Sequence, residues 1–165
     1  VGDVAYGWLR AAPGIGAAIT AVFLASRPVT RNVGRTLLIV VGLFGIATVA
    51  LGMTTSYIVA FAALVLLSGS DMISVYIRGT LVPLVTPDDK RGRVMAVENV
   101  FIGASNELGA FESGVAAQAF GTKTAVIGGG VATLGIVAVY SIFFPTLRRV
   151  DRFEDLEGHG DETTP

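Results

Sequence analysis

The 165-residue chain has no cysteine, a single histidine, and charged residues at only 15% of its positions. Soluble domains carry about a quarter. Without cysteine there is no disulfide frame and no thiolate chemistry, and the redox compartment cannot be read. His159 belongs to an acidic C-terminal stretch, so the apolar runs hold neither ligand type that a transition metal favours, and no metal site is expected. H-E-x-x-H, G-x-S-x-G and G-x-x-x-x-G-K-[ST] do not occur, and Gly128-Gly129-Gly130 lies within an apolar run rather than a phosphate loop. The chain is therefore not expected to be an enzyme, to hold a cofactor or to bind nucleic acid. No secretory signal pattern is visible. The first apolar run begins almost at Val1, so the chain reads as truncated at its N-terminus.

What is present is hydrocarbon. The chain is 52% hydrophobic, with 21 glycines, and its charges cluster between long apolar runs. That pattern describes a polytopic membrane protein. Five spans can be drawn, over residues 4–26, 37–57, 58–86, 94–120 and 124–144, with an acidic tail at 146–165. Each exceeds the roughly 20 residues that a helix needs to cross a bilayer. The third would be about 43 Å long and must tilt, bend or project. No period-2 alternation supports a closed barrel, so the fold class is all-α integral membrane.

The links orient the chain. Arg27, Arg31 and Arg35 fill the first link, and none is basic in the second. Lys90, Arg91 and Arg93 fill the third, Lys123 stands alone in the fourth, and Arg148, Arg149 and Arg152 open the tail. Basic residues on alternate sides place the first link, the third link and the C-terminus in the cytoplasm. Tyr6, Trp8 and Tyr57 suit interfacial anchoring, and Arg10, near the outer end of its span, can snorkel. Pro13-Gly14 predicts a kink or loosened turn in the first span. The pairs Ala12/Gly16, Gly14/Ala18 and Gly128/Ala132 have the spacing that lets membrane helices approach closely.

The fourth span carries the most polar chemistry. At about 100° per residue, Glu98, Ser105 and Glu112 share one stripe, Asn99 and Asn106 a second, and Glu107 lies nearly opposite the first. An ionised carboxylate in hydrocarbon costs several kcal/mol, so this helix is expected to be enclosed by neighbours or to line a wet cavity. Asp71 and Arg78 share a face of the third span, about 10.5 Å apart along the axis. Arg78 leans back toward Asp71 but needs another partner. Antiparallel spans would put Asp71 with Glu107 near mid-membrane, and Arg78 with Glu98 toward the cytoplasm. Two readings stand. One is a charge network that changes partners as the protein changes shape, with Asn99, Ser105, Asn106, Ser74 and Arg10 at the cavity. The other is a set of static ion pairs in a non-transporting scaffold or assembly subunit.

The segment Thr86-Pro-Asp-Asp-Lys-Arg-Gly-Arg-Val-Met-Ala-Val97 resembles the cytoplasmic link between helices 10 and 11 of the major facilitator superfamily. Ser70-Asp71, Ile77-Arg78, Ala11-Ala-Pro-Gly-Ile-Gly16 and Ile102-Gly-Ala-Ser-Asn-Glu-Leu-Gly109 extend the likeness to its enterobactin-exporter-like branch. Arg31-Asn-Val-Gly-Arg35 keeps the final Gly and Arg of the family's basic link but has Arg31 and Asn32 where its Asp and Arg would stand. The resemblance implies helices 8 to 12 of a twelve-helix transporter, with the first half and helix 7 missing. It puts helices 8, 10 and 11 at the central cavity and 9 and 12 against lipid. It implies proton-coupled efflux of small amphipathic or siderophore-like molecules across a cell membrane, the bacterial inner membrane. Protons, the small-molecule substrate, the bilayer and the missing half would be the partners.

Overall fold

The computed structural model of the protein describes residues 2–29, 32–84 and 86–143. The tail expected at 146–165, and Arg31 of the first link, lie outside the described residues. The described residues form five α-helices and no strand: α1 (Asp3–Ser26), α2 (Val33–Met53), α3 (Tyr57–Leu84), α4 (Asp88–Phe120) and α5 (Thr122–Phe143). The fold is all-α.

The helix ends follow local chemistry rather than the limits of the apolar runs. Asn32 precedes α2 in the left-handed region at φ 54°, ψ 39°, a conformation asparagine tolerates better than most residues. The helix therefore starts at Val33, ahead of the first long apolar run at Leu37. It stops at Met53 because Thr54 turns extended, and the Ser56 amide donates to Thr54 Oγ1 at 3.1 Å to close the turn. Pro87 starts α4 well before residue 94, with Asp88 and Asp89 in its first turn where the helix dipole favours acids. Charge bars these residues from hydrocarbon but not from a helix. Gly121, at φ 83°, makes the tight reversal into α5, a backbone conformation open to glycine. Pro13 lies inside α1 without interrupting it.

Four of the five, α1, α2, α3 and α5, are long and apolar enough to cross a membrane. The 33-residue α4 is not among them, because its acids and amides dilute the apolar run expected to be a span.

Three close helix contacts hold the bundle, α1 on α3, α2 on α3, and α2 on α5. Small residues set the distances. A Cβ placed on Gly16 would run into the backbone carbonyl of Val65, so α1 and α3 touch backbone to backbone. A Cβ on Gly130 of α5 would lie 2.9 Å from the Gly45 oxygen and 2.7 Å from Val49 Cγ2 of α2. Tyr57 adds a polar tie, its hydroxyl donating to the Ala5 carbonyl at 2.9 Å. The start of α3 is thereby fixed beside the start of α1, so these two helices run in the same direction. α4 behaves differently. It leans on α5, scarcely touches α3, and buries no residue among those described. Enclosure of α4 by its neighbours is thus not found within these five helices.

Candidate functional site

The polar stripe of α3 faces a cleft of about 380 Å³. Ser70, Asp71, Ser74 and Arg78 form one wall. Leu37, Val40, Val41 and Phe44 of α2 form the other, and Thr133 of α5 completes it. Positions 70, 74 and 78 recur every four residues and 71, 74 and 78 at three and four, so a regular helix presents all four side chains on one side. One wall is hydrocarbon. The other offers one anion, one cation and two hydroxyls.

The polar groups are only partly committed to the protein. Arg78 Nε donates to the Ser74 carbonyl at 3.4 Å, one turn back along its own helix. The guanidinium leans toward Asp71 without forming an ion pair, since the ion pair recorded among the described residues joins Arg91 and Asp88 at 2.6 Å. Ser70 is 3% exposed, and its Oγ has no hydrogen-bond partner. A buried hydroxyl left unpaired costs about 1–3 kcal/mol. Such a group at the edge of a cleft is suited to a ligand that supplies the missing bond.

The structure divides the residues expected to act together. Asp71, Ser74 and Arg78 meet in the cleft. Glu112 lines a separate groove of about 890 Å³ between α4 and α5. Glu98 is half-buried, whereas Asn99, Ser105, Asn106 and Glu107 of α4 and Arg10 of α1 are exposed and border neither cavity. The Asp71/Glu107 and Arg78/Glu98 pairs do not form, because α3 and α4 diverge after Pro87. The uncharged runs 37–57 and 124–144, which the resemblance sets against lipid, supply the apolar cleft wall and Thr133.

Two residues escape a reading by charge alone. In sequence Ser70 is marked only by the Ser70-Asp71 pair of the family resemblance, which says nothing of its burial. Arg91 counts, in sequence, as one of three basic residues in a link. In the structure its Nε donates to the Pro83 carbonyl at 3.1 Å while it pairs with Asp88. One cation thereby joins the negative end of α3 to the acid-rich start of α4. Thr86 adds a second tie, its hydroxyl donating to the Val82 carbonyl at 2.6 Å.

Long apolar helices packed through glycine, with an exposed acid and guanidinium lining an open cleft between them, define a polytopic membrane protein built around a polar site. The family model described as Major Facilitator Superfamily matches residues 2–162. The chain belongs to that superfamily, and so to a family of membrane transporters. Neither a curated protein nor a solved structure matches it.

Proposed function

We propose that the chain forms helices 8 to 12 of a twelve-helix secondary transporter that exports small amphipathic or siderophore-like molecules by proton antiport. The observation that carries the substrate class is the two-sided cleft, with hydrocarbon on α2 facing an acid, a guanidinium and two hydroxyls on α3. An amphipathic molecule satisfies both walls at once, and one oxygen or amine on it would meet Ser70 Oγ. Arg78 holds an anionic group of the substrate or compensates Asp71 when that residue is ionised.

Asp71 and Glu107 are the proton carriers in this reading, Asp71 on a helix apolar enough to cross the membrane, where an unpaired charge is costly, and Glu107 at the matching depth of the fourth apolar run. Glu98 and Glu112 complete the charge network, and Asn99, Ser105 and Asn106 face the path once further helices close over α4. Those helices belong to the first half and helix 7, and the exposed length of α4 is the surface they cover. Alternating access rocks the two halves about the midplane. The protein sits in the cell membrane, the bacterial inner membrane, with its C-terminus in the cytoplasm, as the alternation of basic links requires.

The test is substrate movement driven by a pH gradient in vesicles carrying the full-length protein. Asp71→Asn and Glu107→Gln are assayed separately. Loss of coupling in one, with substrate exchange retained, is the expected outcome. Coupling preserved in both removes the proton role.

A further inference from the structure

The register of the helices brings Arg27 and Arg35, at the two ends of the first link, to one depth. Gly16 of α1 abuts Val65 of α3, and a Cβ on Gly69 would lie 2.8 Å from Thr20 Oγ1. The offset between the two helices is the same at both contacts, so Arg27, just past the end of α1, stands level with Tyr76. The short link from Met53 to Tyr57 turns α2 back antiparallel to α3. Leu37 and Arg78 therefore line one end of the cleft, Phe44 and Asp71 the other, and Arg35 stands level with Thr80. Arg27 and Arg35 thus lie within about 3 Å of the depth of Arg78. The opposite end of the bundle identifies that depth. There Tyr57 donates to the Ala5 carbonyl, with Tyr6 and Trp8 exposed nearby on α1. Tyr57 to Arg78 measures about 32 Å along α3, and Ala5 to Arg27 about 33 Å along α1. The hydrocarbon core of a bilayer is about 30 Å thick. With the aromatic residues at one interface, the guanidinium groups arrive at the phosphates of the other.

We propose that Arg27 and Arg35 hold the headgroups of anionic phospholipids in the leaflet on the side of the first link. Arg78 lines the cleft and stays with that site. Arg27 and Arg35 are exposed, and neither has an ion pair or a side-chain hydrogen bond among the described residues. α2 carries no acid, and α1 carries only Asp3, at its far end. Asp88 and Asp89 begin α4, where Asp88 is already paired with Arg91. A guanidinium with no acid beside it is completed by a headgroup of net negative charge, whereas phosphatidylcholine brings its own cation. Arginine also meets phosphate through two parallel N–H donors, a geometry that an ammonium lacks. The proposal needs the chain to span a bilayer and nothing of what it moves. Under the orientation proposed above the leaflet is the cytoplasmic one, whose anionic lipids attract basic residues.

The experiment releases the full-length protein from nanodiscs of equal phosphatidylglycerol and phosphatidylcholine and identifies the retained lipids by native mass spectrometry. The unmodified protein is expected to retain phosphatidylglycerol in preference. Arg27→Gln and Arg35→Gln should each lower that preference about fivefold, the effect of one basic residue at a charged membrane surface. Arg35→Lys should keep part of it. Lys123→Gln, at the opposite end of the bundle where Gly52 meets Ile127, should keep all of it. Inorganic phosphate should displace nothing, because the acyl chains as well as the anion secure the lipid. Both glutamine variants should unfold at the unaltered midpoint, so that a lost preference reports lipid contact rather than damage. Equal retention of the two lipids, an unchanged preference in both glutamine variants, or displacement by free phosphate would each overturn the proposal. So would a preference that emerges only after residues 151–165 are removed, which would assign the two arginines to the acidic tail.

Discussion

Glycine and serine residues that look interchangeable in sequence have unequal duties here. Gly130 is buried against α2, whereas Gly135, five residues on, would offer a Cβ nothing within 4 Å. Gly130→Ala should therefore destabilise the protein by about 1–3 kcal/mol through overpacking, and Gly135→Ala should change it by no more than about 0.5 kcal/mol. Thermal unfolding in detergent checks both, and equal midpoints would contradict the packing. Ser70 yields a prediction of opposite sign. Its Oγ is buried and unpaired, so Ser70→Ala should leave stability unchanged or raise it by about 1 kcal/mol. A matched loss of substrate affinity would identify a hydroxyl kept for binding. A clear fall in stability would mean that the hydroxyl already has a structural partner.

At the scale of the helix, the contrast between α3 and α4 dominates. α3 is held by α1 and α2 along its length, and its C-terminal carbonyls are held by Thr86 and Arg91. α4 has α5 for company and little else. Local stability should follow the same order, because segments with few buried contacts open at low free energy. Hydrogen exchange should show slow amides in the middle of α3 and faster ones over residues 98–112. Arg91→Ala should speed exchange over residues 86–91 while moving the unfolding midpoint little, since an exposed ion pair contributes about 1 kcal/mol or less. A large midpoint shift would show that the link between α3 and α4 supports the whole bundle.

For the whole molecule, the question is whether water reaches the polar residues of α3 and α4. These 165 residues contain no cysteine, so a cysteine introduced among them has no native competitor within this segment. Cysteines at Ser74, Ser105 and Asn106 of the full-length protein in membranes should react with a water-borne thiol reagent. Protection of all three would favour the static scaffold with sealed polar contacts. Labelling at Ser74 that substrate suppresses would place the cleft on the transport path.

Sequence alone determined the class of molecule and its helices. Long apolar runs cannot satisfy their backbone in lipid except as helices, and that constraint acts locally, before any tertiary contact. It also singled out Asp71, Ser74 and Arg78, because helical periodicity places them on one face whatever packs against it. Which face meets which helix is a different matter. Ala12/Gly16, Gly14/Ala18 and Gly128/Ala132 share one spacing, yet only the first pair is buried, and Gly130 holds the contact in α5. The partition of the acids was equally hidden, since Asp71 faces α2 rather than Glu107, and Glu112 has a groove of its own. Periodicity is a property of one helix, whereas a neighbour is chosen by the fit of two surfaces. Only the assembled bundle decides that.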